Sequence, residues 1–259
     1  MIFDHKRRIM YCPIPKIALS TWMVVMVNNT DTRKKPSLKT LLSPEYIHYH
    51  RFSGIKKAFY NESKHGHYTK FMVVRHPFDR LVSAYYNKAF PQLKWDGKYL
   101  KAMYKNIQKY AFAHFPHPEL SERDQKFYNA TFKEFVEFTL KINDHHWNSL
   151  RLFCDPCKIK YDYILRMETM QRDSQVLMRD LYPTAGPIPV ANAARNIAKT
   201  NNITSTFVQP KTLEIFSQLS SNTLQKVFKK HDFDLAFYGY SFNSTSFKAE
   251  CRVWEQNCC

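Results

Sequence analysis

At 259 residues and 44% apolar composition, the chain is long enough to bury one large core, and a single domain over residues 1–259 is expected. Its 39 Lys+Arg against 22 Asp+Glu leave a formal charge of +17, a field that draws polyanions: nucleic acid, acidic lipid surfaces or acidic glycans. Nucleic acid is disfavoured, since there are no paired zinc-finger ligands, no aromatic RNA-binding signature and no glycine-arginine tract, and no run approaches the roughly 18 apolar residues of a membrane span.

In chain order, Arg8–Cys12 reads as a strand, and Pro13-Ile-Pro-Lys16 then leads into an apolar helical stretch over Leu19–Val27. Ser20 and Thr21 stand at its start, where hydroxyls cap a helix. Phe71–Val74 is a short apolar run suited to an inner parallel strand, and Pro77 fits the first turn of the helix Pro77–Ala89 that follows. Further helices are predicted over Tyr99–Phe112, Thr131–Ile142, Glu168–Leu181 and Pro210–Lys230, with a strand at Tyr161–Leu165. Loops fall at Thr30–Pro44, Pro91–Gly97, Phe115–Arg123 and Pro183–Val190, where Pro and polar residues break the periodicity. Strands alternating with helices predict an α/β fold, a central mostly parallel sheet flanked by helices in a P-loop-like, three-layer arrangement.

Two of these strand-to-helix junctions are basic. A helix start presents backbone N–H groups and a positive dipole end, so each junction is suited to an anion such as phosphate. At the first, Lys16 supplies a mobile point charge beside Ser20 and Thr21; at the second, Arg75 leaves the strand and Ser83 sits two turns into the helix. The glycine-rich Walker pattern is absent, which argues against an ordinary nucleoside-triphosphate kinase or hydrolase. Two basic junctions about sixty residues apart suit a ligand with phosphate-like groups at both ends.

The segments Tyr11-Cys-Pro-Ile-Pro-Lys16 through Trp22 and Val74-Arg75-His-Pro-Phe-Asp-Arg-Leu-Val-Ser83-Ala-Tyr resemble the two donor motifs of the Golgi carbohydrate sulfotransferases, the group that holds the chondroitin and dermatan enzymes. Asp144-His-His-Trp147, with Leu152-Phe-Cys-Asp-Pro-Cys157 and Glu168, is similar to that family's middle block, and the Asp-Phe-Asp-Leu-Ala-Phe-Tyr-Gly-Tyr240 run resembles its closing segment. The resemblance implies the donor 3′-phosphoadenosine 5′-phosphosulfate (PAPS) and transfer of the sulfuryl group to a hydroxyl of a glycan, a glycosaminoglycan or glycoprotein sugar, with an acidic glycan as the partner; no metal is required, because a transferred sulfuryl group bears less negative charge than a phosphoryl group. Lys16, Ser20, Thr21 and Trp22 would then hold the 5′-phosphosulfate, and Arg75 with Ser83 the 3′-phosphate. Departures stand at Leu19, Met23 and Val24, where the family carries another triplet before the Trp and a basic residue after it. They keep open an alternative, a catalytically impaired glycan-binding relative.

Sulfuryl transfer needs charge stabilisation on the leaving oxygen and a base for the attacking hydroxyl. Lys16 fits the first task. For the second, His50 in Tyr46-Ile-His-Tyr-His50 is similar to the His-x-His element of heparan sulfate 2-O-sulfotransferases, with His146 as runner-up. Six Cys, at 12, 154, 157, 251, 258 and 259, and five Asn-x-Ser/Thr sequons, at Asn28, Asn61, Asn129, Asn202 and Asn243, point to the secretory pathway. Structural disulfides are a more natural use of Cys154-x-x-Cys157 than a zinc or redox pair. The family's members are anchored in the Golgi membrane by an N-terminal helix and stem; this sequence starts a few residues ahead of the first donor motif, so the expectation is a lumenal catalytic domain whose anchor is absent.

Overall fold

The computed structural model describes residues 1–29, 55–90, 98–117, 120–125, 127–183 and 210–241. In chain order the elements are β1 (Ile2–Asp4), β2 (Ile9–Cys12), α1 (Leu19–Asn29), β3 (Ile55–Lys57), α2 (Glu62–His65), β4 (Thr69–Val74), α3 (Pro77–Lys88) and α4 (Lys98–His114). There follow α5 (Glu122–Gln125), α6 (Phe132–Lys141), α7 (Arg151–Cys154), β5 (Tyr163–Arg166), a 3-10 turn over Met167–Thr169, α8 (Met170–Leu181), α9 (Pro210–Phe216) and α10 (Ser221–Phe237). The α/β class read from the sequence is the class observed. The described residues group into two compact units, residues 1–75 with 150–183, and residues 76–149 with 210–241.

The first unit is built on a five-stranded sheet of order β3-β1-β2-β4-β5. β2, β4 and β5 are parallel neighbours, whereas β1 pairs antiparallel with both β2 and β3. β2 is buried throughout and β4 from Lys70 onward, as expected of inner strands, and Lys70 satisfies its ammonium on the Gly66 and Tyr68 carbonyls. Helix α1 is apolar on every side because Trp22 to Val27 are all buried, the pattern of a core helix rather than a surface one. Met23 and Val24, two of the departures noted above, are thus core residues, and a cation in either place would face desolvation. Trp22 meets Phe71 edge-on at 5.1 Å, and Phe71 stacks on Tyr11 at 4.7 Å. Each such fully buried aromatic stabilises the unit by about 2–3 kcal/mol.

The second unit is helical. His76 caps α3 by accepting the Phe78 N–H at its Nδ1, and Pro77 occupies the first turn, where a missing N–H costs nothing. A capping box of Thr131 and Glu134 starts α6, and the Ser220 hydroxyl starts α10. The helix predicted over Pro210–Lys230 is therefore two helices, broken where Ser220 turns from chain to cap, and the second runs on to Phe237. Gly239 ends it at φ +60°, with Tyr240 N–H returning to the Leu235 carbonyl at 2.8 Å, a left-handed cap that favours glycine. Phe78 stacks on Phe216 at 4.7 Å, and Phe135 and Phe138 meet Trp147 edge-on. The Trp147 indole N–H donates to the Ile142 carbonyl, so the Trp of the middle motif is a core pin.

Candidate functional site

Because β2 and β4 run parallel and side by side, with Cys12 opposite Met72, both chains leave the sheet at the same edge. There β2 passes into the 13–18 loop and β4 into Arg75. Ile14 and Ile17 anchor the loop from beneath, at 1% and 0% exposure, and leave Lys16 half-exposed between them. Lys16 and Ala18 adopt positive φ, +69° and +53°, a conformation that costs a non-glycine residue about 1–2 kcal/mol. Strain of this kind persists where surrounding contacts impose it, and one contact is plain: Arg75 Nη1 donates to the Lys16 carbonyl at 3.1 Å. The two basic junctions are thereby brought together within one unit, fifty-nine residues apart in sequence.

Helix α1 begins immediately after the loop, with Trp22 N–H bonded to the Ala18 carbonyl at 3.1 Å. Ser20 and Thr21 therefore lie within the first turn rather than at the cap position, half-buried, and the turn contains no acid to neutralise the positive helix end. Trp22, the remaining residue of that motif, is 1% exposed and packs edge-on against Phe71 in the core. Its service to the loop is to fix the helix behind it. Cys12, the last residue of β2, is disulfide-bonded to Cys154 at the end of α7, so the base of the loop is covalently held. Cys157 is disulfide-bonded as well, and Cys154-x-x-Cys157 is accordingly neither a redox couple nor half a zinc site.

Ser83 belongs to the second unit, half-buried two turns into α3. His50, the sequons at Asn202 and Asn243 and the cysteines at 251, 258 and 259 lie outside the described residues. His146 is described: its Nδ1 is 2.5 Å from Asp144 Oδ1, and its backbone N–H reaches the same oxygen at 2.9 Å. Burial pushes its pKa down to about 3 against the pull of Asp144, with Lys88 adding to the depression. The ring is neutral at physiological pH and holds its proton poorly. Asp144, His145 and His146 bring three ligand-type atoms within 4.8 Å of one another, but buried Lys88 and Arg80 both lower His145 by their charge, which places cations on the flank of any metal there.

Asp79 and Arg80 of the second donor motif lie in the first turn of α3. Both are buried, at 3% and 1% exposure, and Arg80 binds the carbonyls of His145 and Asn148, each at 2.6 Å. Its guanidinium ties α3 to the Asp144-His-His-Trp segment. The signal was available: Arg80, Ala84 and Lys88 recur every four residues on the buried stripe of α3, so two cations stand at core positions. Burial pushes Lys88 and, on α10, Lys230 down to about 8, with Asp144 partly restoring Lys88. Between about pH 8 and 10.5 the unfolded chain keeps a proton that folded Lys88 has released, so stability rises with pH across that window. Unfolding in urea at about pH 9.5 should show roughly 2 kcal/mol more stability from Lys88 than at about pH 7, and Lys88→Met should remove that gain. An unchanged pH slope in the variant would show that Lys88 is not the source.

The sequence profile described as the sulfotransferase family matches residues 1–241, across both units. Among curated proteins, the chain is 25% identical over 254 residues to carbohydrate sulfotransferase 11 of Rattus norvegicus, covering 93% of this chain and 67% of that one. It is 28% identical over 202 residues to carbohydrate sulfotransferase 12 of Mus musculus, covering 70% and 48%. With carbohydrate sulfotransferase 14 of Danio rerio the figures are 26% over 267 residues, 95% and 63%. The chain thus spans about half to two thirds of the length of these relatives. No solved structure matches it. The loop after β2, the Arg75 contact that holds it and the extent of the profile match lead to one conclusion: the chain belongs to the sulfotransferase family.

Proposed function

We propose that the protein is a carbohydrate O-sulfotransferase that moves the sulfuryl group of PAPS to a hydroxyl of an acidic glycan, and that its two units serve as one catalytic domain. The observation that carries this reading is the Arg75 guanidinium bound to the Lys16 carbonyl: it sets two cations, a strained loop and an acid-free helix start at one sheet edge. That collection suits a doubly anionic donor. Lys16 and the first turn of α1, with Ser20 and Thr21, would hold the 5′-phosphosulfate; Arg75 would take the 3′-phosphate, with Ser83 kept on the strength of the motif. As the S–O bond to the leaving phosphate breaks, negative charge grows on that oxygen, and the Lys16 ammonium interacts more strongly with it than in the ground state. The acceptor hydroxyl forms the new S–O bond and gives up its proton. His50 is the proposed acceptor of that proton on the strength of its motif, since burial depresses His146 and leaves it a poor base.

The carbohydrate acceptor is suggested by what the relatives' names say they act on, and its acidic character by the charge of +17. A lumenal, Golgi setting fits the Cys12–Cys154 disulfide, which persists in an oxidising compartment. Among the described residues no helix is long and apolar enough to cross a membrane, and attachment is proposed only through a preceding anchor. The test is incubation of purified protein with labelled PAPS and a panel of desulfated glycosaminoglycans, alongside titration with 3′,5′-ADP. Label incorporated into at least one glycan, with micromolar 3′,5′-ADP binding, is the expected result. Binding of 3′,5′-ADP without transfer to any acceptor would favour the impaired relative; absence of both would end the reading.

A further inference from the structure

Helix α4 has the sequence Lys-Tyr-Leu-Lys-Ala-Met-Tyr-Lys-Asn-Ile-Gln-Lys-Tyr-Ala-Phe-Ala-His, with four lysines and no acid. Its inner side is settled: Met103, Ile107 and Ala111 are buried, Tyr110 meets Phe138 of α6 edge-on at 5.5 Å, and Gln108 donates to the Gln125 carbonyl at 2.5 Å. The outer side is a single ridge. Lys101, Lys105 and Lys109 are all exposed, at steps of four residues, with exposed Ala102 and Asn106 as small neutral neighbours. The rise of an α-helix sets successive lysines about 6 Å apart and the outer two about 12 Å apart. Asp124 on nearby α5 is engaged by the Ser121 hydroxyl at 2.6 Å, next to exposed Arg123.

Like charges at this spacing repel and weaken a helix slightly. Three ammoniums strung over that length do not close on one compact anion; they match a linear one carrying charge at intervals. We infer that the outward face of α4 is a track for an acidic polysaccharide. This deepens the proposed function by placing the acceptor polymer, and its occupant is argued from charge complementarity: an acid-free basic ridge on a chain of net charge +17. The track would raise local acceptor concentration and set how long a chain the protein prefers, without touching the reacting atoms.

The test uses the full chain with Lys101, Lys105 and Lys109 all replaced by Ala, a change that favours helix and so preserves α4. Fluorescence anisotropy with labelled chondroitin chains should show binding weakened roughly ten-fold, with recovery in the triple Arg variant, while 3′,5′-ADP binds as before. The KM for polymeric acceptor should rise similarly and that for a disaccharide acceptor should not. Unchanged chondroitin binding overturns the inference. So does a loss confined to phosphatidylserine vesicles, which would make the ridge a membrane contact. Should the unmodified protein fail to bind 3′,5′-ADP yet lose chondroitin binding in the Ala variant, the transferase reading falls and the track stands.

Discussion

Lys16→Ala is expected to lower kcat for sulfuryl transfer by about 10²–10³ with little change in thermal stability, measured by label transfer from PAPS to a competent glycan. The size follows from the role proposed for its ammonium, stabilising an oxygen where charge develops. The stability expectation follows from the backbone. Alanine at φ +69° is as strained as lysine, so the substitution removes the charge and leaves the conformational cost in place. Lys16→Arg should recover only part of the rate, because a planar fork does not reproduce a compact point charge. Arg75→Ala should differ in kind: it removes the proposed 3′-phosphate partner and also the donor on the Lys16 carbonyl, raising donor KM as well as lowering kcat. Transfer at the normal rate by Lys16→Ala would remove the loop from the chemistry.

The second large effect is expected from the disulfide. Cys12 and Cys154 are 142 residues apart in sequence, and closing a loop of that length restricts the unfolded chain by an amount worth about 5 kcal/mol in the chain-entropy account. The Cys12→Ser, Cys154→Ser double variant should therefore lose about 3–5 kcal/mol in urea unfolding, a large share of the usual stability of a protein this size. The double variant is preferable to added reductant because Cys157 is also oxidised. An unchanged unfolding midpoint would mean the crosslink constrains nothing that folding has not already fixed.

How far the sequence led depended on whether a feature was local. The β2 and β4 strands, the proline-led starts of both junctions, the apolar run of α1 and the apolar stripes of α3 and α6 were legible, because periodicity and turn chemistry act within a few residues. Short β1 and β3 were missed: three-residue strands carry no period, and Ile2–Asp4 forms only because two neighbours bond to it. The break at Ser220 was missed because the apolar pattern runs through it while the hydroxyl, not the pattern, decides the cap. In the site, Lys16 and Arg75 were legible as residues but their meeting was not; a guanidinium on a carbonyl fifty-nine residues away is set by parallel strand pairing. The role of Arg80 was hidden for a similar reason, since its two carbonyl partners arrive from a segment more than sixty residues on. Which way Trp22 turns was not legible, an ambiguity inherent in a segment that is apolar all round.

The Arg75 contact also bears on which side chains position 75 tolerates. A guanidinium offers rigidly splayed donors, so one group can brace a peptide oxygen while the same cation attracts a ligand; an ammonium of equal charge is a single point and must choose. Under the proposed function, occupancy by the nucleotide and rigidity of the lysine-bearing turn would be two readings of one residue. A swap to lysine would uncouple them, preserving the field while releasing the turn.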